Sequence, residues 1–220
     1  MCGLKGVEHR PLESQLDGWR FLGEGQQALN FDEAWRLRAD GVLVCSGSPK
    51  GYLVSPREFS EFTLELEWRW PEDVTSGNSG VLVSAIPSMA GFDVWPNSFE
   101  VQLAYGHAGE IYTLGRVTTF RTESPVWKPM GIPVVHVETA DPNASVEKSA
   151  GEWNHLRLDF RGATLIVFVN GVEVNRLTGV RPTRGKVALQ SEGAALEFRN
   201  LRIETAEPVP AAADAPSSGT

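Results

Sequence analysis

Carboxylates, carboxamides and guanidinium groups recur at a spacing of two along parts of this chain, a spacing that can gather chemistry. Residues two apart in an extended strand share one face. Glu65, Glu67 and Arg69 of "FTLELEWRW" therefore form one polar row, Glu100 and Gln102 of "SFEVQLAY" a second, and Glu197, Arg199 and Leu201 of "ALEFRNLRIE" a third. Gln190 and Glu192 of "ALQSEG" add to the set. If Glu67, Arg69, Glu100, Gln102, Gln190 and Arg199 line one concave sheet, they make a cleft suited to sugars. Sugar hydroxyls need paired donors and acceptors, and aromatic rings stack on their C–H faces. Carboxylates facing each other across such a groove also serve as general acid and base. The competing reading is structural: exposed sheet faces are polar anyway, with Glu–Arg pairs placed cross-strand for modest stability.

Other motifs point away from several chemistries. "SGNSGV" (76–81) is Gly-rich but has no Lys and precedes a strand, so it is not a phosphate loop; Asn78 starts the strand or presents its amide to the face. The four His, at 9, 107, 136 and 155, share no metal-ligand spacing. His107, on the Gly-flanked loop "AYGHAGEIY", is the one open to a catalytic role, beside the plainer reading of a solvent-facing loop histidine. There is no G-x-S-x-G elbow. Asn143-Ala144-Ser145 is a formal glycosylation sequon.

The elements that must hold these groups are strands. In "FTLELEWRW", Phe62, Leu64, Leu66 and Trp68 alternate with polar residues, the mark of a half-buried strand. Similar runs recur at 41–47, 51–55, 79–86, 98–105, 153–162, 164–171, 172–177, 186–191 and 195–204, with Gly, Pro and Asn between them. This pattern predicts an all-β antiparallel sandwich or barrel. Arg161-Gly162 and Asn170-Gly171 predict two hairpins that make a three-strand meander. "FDEAW" (31–35) predicts one helical turn. Residues 114–151, with four prolines and no clear period, read as a long insertion loop on a domain spanning 17–205. Residues 1–16 form an extension, and the Pro/Ala/Ser-rich 206–220 read as a disordered tail.

Composition narrows the function. The chain has 220 residues, 41% hydrophobic, enough for one well-filled core. A net charge of -8 and the lack of Lys/Arg runs argue against a nucleic-acid partner. Two cysteines, Cys2 and Cys45, imply no disulfide framework. No apolar stretch approaches the roughly 18 residues of a membrane span, so the chain as written is expected to be soluble and cytoplasmic. Cys2-Gly3 is also what remains of a lipoprotein after signal removal, so a native start upstream would make it periplasmic or extracellular.

The ordered set "GYLVSPREFSEFTLELEWRW", "GNSGVLV", "FEVQL", "GEIY", "EKSAGEWNHLRL", "VFVNGVEVN" and "ALQSEGAALEFRNLRI" resembles the bacterial 3-keto-disaccharide hydrolase family over nearly everything from Trp19 to Glu204. Each motif alone is degenerate; six or seven in order are specific. The resemblance implies a concanavalin A-like jelly-roll β-sandwich of two curved antiparallel sheets, and cleavage of 3-keto glycosides, sugars already oxidised at C3. On the family's motif positions stand Glu100, Gln102 and Arg69 as catalytic candidates, and His107 joins them from its loop rather than from a family motif. Asn78, Tyr112, Gln190, Glu192 and Arg199 stand there as substrate-binding candidates, joined by Glu67 and, from the insertion, Lys128. Trp127 and His136 of the insertion are placed to alter specificity. The implied partner is a carbohydrate or oxidised glycoside. No cofactor is evident, and a divalent metal stays open as the electrophile. Many relatives follow "EVQ" with an apolar residue and an Asp, whereas this chain has Leu103-Ala104-Tyr105. That departure keeps a non-catalytic carbohydrate-binding module as the alternative.

Overall fold

The computed structural model describes residues 16–115, 118–127, 134–141 and 146–205. Among these residues, two eight-stranded antiparallel sheets face each other. Sheet A runs, in spatial order, β1 (Arg20–Leu22), β4 (Gly51–Val54), β15 (Lys186–Ser191), β6 (Gly80–Ala90), β7 (Pro96–Gln102), β8 (Ile111–Leu114), β11 (Val134–Val137) and β10 (Val126–Trp127). Sheet B runs β2 (Trp35–Leu37), β3 (Leu43–Cys45), β16 (Leu196–Thr205), β5 (Phe62–Arg69), β12 (Asn154–Arg161), β13 (Thr164–Val169), β14 (Val172–Arg181) and β9 (Thr119–Arg121). The architecture is a concanavalin A-like jelly roll of two curved sheets. "FDEAW" gives the single turn α1 (Phe31–Ala34), capped by the Asn30 side chain on the Asp32 N–H.

Period two does in space what it promises in sequence. Phe62, Leu64, Leu66 and Trp68 are 0–1% exposed and point between the sheets, where they meet Phe99, Val101, Leu156, Leu158, Val167 and Phe198. Both hairpins of the meander form as expected. The β13–β14 turn places Asn170 at φ 50° and Gly171 at φ 85°, the pair of positive angles that a tight primed turn requires.

The two sheets differ on their outer faces. That of sheet B alternates partly exposed polar residues, as ordinary sandwiches do. That of sheet A carries a second buried cluster of Leu22, Tyr52, Val54, Leu82, Ala85, Trp95, Leu114, Val134 and Ala188. β4 and β7 are consequently buried along their whole length. An outer face this deeply covered is recessed, and a recess on a sheet is where a ligand can be surrounded.

Two expectations change. Segment 114–151 is not a bare loop: it supplies β9, which extends sheet B, and β10 and β11, which extend sheet A. Strands of two to four residues are too short to display a period. Leu201 does not share a face with Glu197 and Arg199. A bulge between Arg199 and Arg202, with Asn200 at φ 54°, inserts one residue and turns Leu201 into the core at 2% exposure. The N-terminal extension to residue 15, the sequon at 143–145 and the tail from 206 lie outside the described residues. Among the described residues, no helix is long and apolar enough to cross a membrane.

Candidate active site

The strand register of sheet A assembles one polar cluster on its recessed face. Glu100 on β7 lies directly opposite Leu82 on β6 and Tyr112 on β8. One step along the sheet, Gln190 on β15 lies opposite Tyr52 on β4. Gly80 lets these two rows close on each other: a Cβ there would lie 2.6 Å from Gln190 Oε1 and 3.0 Å from Glu100 Cγ. Asn78, just before β6, bridges to Glu192 and Gly193 at the end of β15. In "ALQSEG", Leu189 faces the inter-sheet core while Ala188 and Gln190 face the cluster side of sheet A.

The cluster's electrostatics are unusual for an acidic protein's surface. Glu100 is 5% exposed. Burial, then the negative charge of Glu192, push its carboxyl up to about 8, against smaller opposing pulls from the Gln190 side chain and Lys50. Burial also raises Glu192, which pairs with Lys50 at 3.2 Å. Lys50 binds Asp93 as well and sits 5.4 Å from the Trp95 ring centre. Burial pushes the Tyr52 and Tyr112 phenols each up to about 12, with Glu110 and Glu100 adding to the effect at Tyr112.

Buried polar atoms in folded proteins are nearly always satisfied. Here Tyr52 Oη, both amide atoms of Gln190 and Asn78 Oδ1 are buried without a full hydrogen bond. The Gln190 amide lies near enough to Glu100 to favour its carboxylate but makes no bond of good geometry to it. Unpaired donors and acceptors on the strands around a buried carboxyl are groups that a hydroxyl-bearing ligand satisfies.

The predicted single concave face does not exist. Glu67, Arg69 and Arg199 lie on the outer face of sheet B, across the core from Glu100 and Gln190. There they form a ladder: Arg69 Nε to Glu197 Oε2 at 2.6 Å, and Arg199 Nε to Glu67 Oε2 at 2.9 Å. Both guanidinium groups lie over the Trp153 ring, at 4.6 and 4.0 Å. These charges are spent on each other, as the structural reading expected. Parity assigns a residue to the inside or outside of its sheet but cannot tell which of two outsides that is.

Gln102 is on the strand of Glu100 but turns to its own backbone, where its Oε1 accepts from the Leu103 and Ala104 N–H groups at 2.9 and 2.8 Å. That bond organises the departure Leu103-Ala104. His107 is 63% exposed and pairs with Glu110 at 2.9 Å, away from Glu100. Asn78, Tyr112, Gln190 and Glu192 are brought to the Glu100 cluster; Lys128 lies outside the described residues. Tyr52, Lys50 and Trp95 join the site without having stood out in the sequence. "GYLVS" reads as an ordinary strand until its pairing with "ALQS" is known. Among the described residues, no group of three or more His, Cys, Asp or Glu is gathered as a cation site.

A separate recess of about 610 Å³ lies at the β9–β14 edge of sheet B, lined by Arg121, Glu123, Asn175 and Arg176 among others. It shares no residue with the Glu100 cluster. Its buried Asn175 donates to Glu138 O at 3.1 Å and its Arg176 to Glu173 at 2.8 Å, so these polar groups are already partnered.

A family model for the 3-keto-alpha-glucoside-1,2-lyase-like domain matches residues 13–204. The chain belongs to this family. No curated protein matches the sequence significantly. Among solved structures, a candidate glycosyl hydrolase of Parabacteroides distasonis is similar at 23% identity and a TM-score of 0.57, covering 81% of this chain and 92% of that one. The carbohydrate-binding module CBM66 of Bacillus subtilis is similar at 14% identity and 0.57, covering 86% and 96%. The β-glucanase of Bacillus licheniformis follows at 11% and 0.53, covering 86% and 92%. These likenesses establish the jelly roll. The lyase-like family places the chain among carbohydrate-directed proteins, and within it the Glu100 cluster is the recessed polar site.

Proposed function

We propose that the protein cleaves the glycosidic bond of 3-keto glycosides at the Glu100 cluster. A ketone at C3 acidifies the C2 proton. A base can remove it, the C1 substituent leaves by elimination, and water adds back to complete hydrolysis. This route needs a carboxyl or imidazole that changes protonation near neutral pH, and positive or donor groups where enolate charge develops. The observation that carries the reading is the Glu100 carboxyl, buried and pushed up to about 8 beside unpaired polar atoms. Tyr52, Gln190 and Lys50 are the donors suited to the enolate oxygen. A divalent cation is the other group able to hold that charge, and turnover before and after dialysis against a chelator separates the two.

The test presents the protein with a 3-keto glucoside and its unoxidised parent, to wild type and Glu100→Gln. The reading expects cleavage of the keto sugar alone by wild type, and binding without turnover by the variant. Saturable binding with no turnover in wild type would instead identify a carbohydrate-binding module. No binding of either sugar would sink both readings.

A further inference from the structure

One cluster beside the site has no part in the reading above. Glu110 lies just before β8 and is held at both ends: Oε1 faces His107 Nδ1 at 2.9 Å, and Oε2 faces His136 Nε2 at 2.7 Å. The two histidines differ in placement. His107 is 63% exposed, whereas His136 is 14% exposed. His136 stacks on Tyr112 with ring centres 4.3 Å apart and planes within 7°.

Register shows where His136 belongs. It lies directly opposite Tyr112 between β11 and β8, and Tyr112 lies directly opposite Glu100 between β8 and β7. The three residues form one row across the recessed face, with His136 two strands from Glu100. Strands are about 4.8 Å apart, so the two Cα atoms stand on the order of 10 Å from each other. His136 and Glu100 thus flank Tyr112 on one face, two strand spacings apart, the scale at which two proton-transfer groups can stand on either side of one glycosidic bond. An imidazole fixed by a carboxylate on one nitrogen and a ring on its face is oriented for proton transfer at the other nitrogen. Among the described residues, no hydrogen bond engages His136 Nδ1.

We propose that His136 is the second proton-transfer group of the site, donating to the departing glycosidic oxygen, and that Glu110 is its positioning residue. This rests on the reading of the Glu100 cluster as a 3-keto glycoside site. The steps balance as follows. Glu100 in its ionised form, which gains population as pH rises toward 8, takes the C2 proton, and the C2–H electron pair enters the enolate of the C3 ketone. The enolate re-forms the ketone as the C1–C2 double bond forms and the C1–O bond breaks. The departing oxygen takes the proton of His136. Neutral His136 then takes a proton from water as its oxygen bonds to C1, and Glu100 returns its proton to C2. Both residues end as they began, and one water is consumed.

A general acid matters most where the leaving group is poor. The test compares wild type, His136→Gln and Glu110→Gln on methyl and 4-nitrophenyl 3-keto glucosides, following cleavage and, by NMR in D₂O, exchange of the C2 proton. His136→Gln is expected to lose on the order of 10²-fold in kcat on the methyl glycoside. It should lose only a few-fold on the nitrophenyl one and keep C2 exchange. Glu110→Gln should show the same leaving-group dependence at smaller size. Equal losses on both glycosides, loss of C2 exchange in His136→Gln, or unchanged kcat would overturn the assignment while leaving the Glu100 reading intact. Thermal melting checks each variant's fold, and Glu110→Gln keeps the test decisive if His136→Gln does not fold. A wild type that neither cleaves nor exchanges would overturn the Glu100 reading as well.

Discussion

Replacing Glu100 with Gln should stabilise the protein, and by an amount that depends on pH in a defined way. The native carboxyl has its midpoint at about 8 and an ordinary one sits near 4.5, so between those values the folded chain holds a proton that the unfolded chain releases. A raised native midpoint means stability that is fully present below 4.5 and lost as pH rises toward 8. Each pH unit in that window is worth about 1.4 kcal/mol. At pH 7 the wild type should therefore have lost on the order of 3 kcal/mol relative to a side chain that cannot ionise. Because Glu100 is only 5% exposed, solvent screening does little to reduce this. Gln matches the protonated carboxyl in shape and leaves the packing against Gly80 and Gln190 nearly unchanged. Urea unfolding of both proteins at pH 4.5, 5.5, 7 and 8.5 reads the difference. It should start small, grow with pH and level off above about 8. A difference independent of pH across that range would refute the claim that Glu100 is held protonated by burial.

Three further outcomes follow from the same geometry. Glu192→Gln removes the negative charge beside Glu100 and should move the Glu100 midpoint below 8, whereas Lys50→Met should move it up; carboxyl-selective ¹³C NMR titration reports both. Gly80→Ala places a methyl 2.6 Å from Gln190 Oε1, so the amide must shift and sugar affinity measured by calorimetry should fall about tenfold or more. Because Gln190 is fully buried and Glu100 Cγ also lies 3.0 Å from the added methyl, the melting temperature should fall as well. Arg69→Met breaks the partly exposed pair with Glu197 and should lower stability in urea by about 1 kcal/mol or less.

Much of the fold was legible because it is written in period two. The alternation in 62–69 and the Asn170-Gly171 turn declare a strand and a hairpin without tertiary information. The site was legible only in part, for a physical reason. A sandwich has two outer faces, and Glu67 and Glu100 obey the same parity while standing on opposite sides of the molecule. Gln190 and Glu100, singled out by parity and motif, meet because both lie on sheet A, whereas Tyr52 and Lys50 join them through pairings between segments more than 100 residues apart. The Asn200 bulge reversed Leu201, and no spacing rule anticipates an inserted residue. His136 sat in a segment whose strands are too short to reveal themselves, yet its register against Tyr112 brings it into the Glu100 row.

The most direct test compares kcat/KM on one 3-keto glucoside for Glu100→Gln, on sheet A, with Arg199→Gln, in the ladder of sheet B. The account predicts a loss on the order of 10²-fold or greater for the first and a value within about twofold of wild type for the second. Full activity in Glu100→Gln, or a comparable loss in Arg199→Gln, would contradict the placement of the chemistry on the recessed face of sheet A.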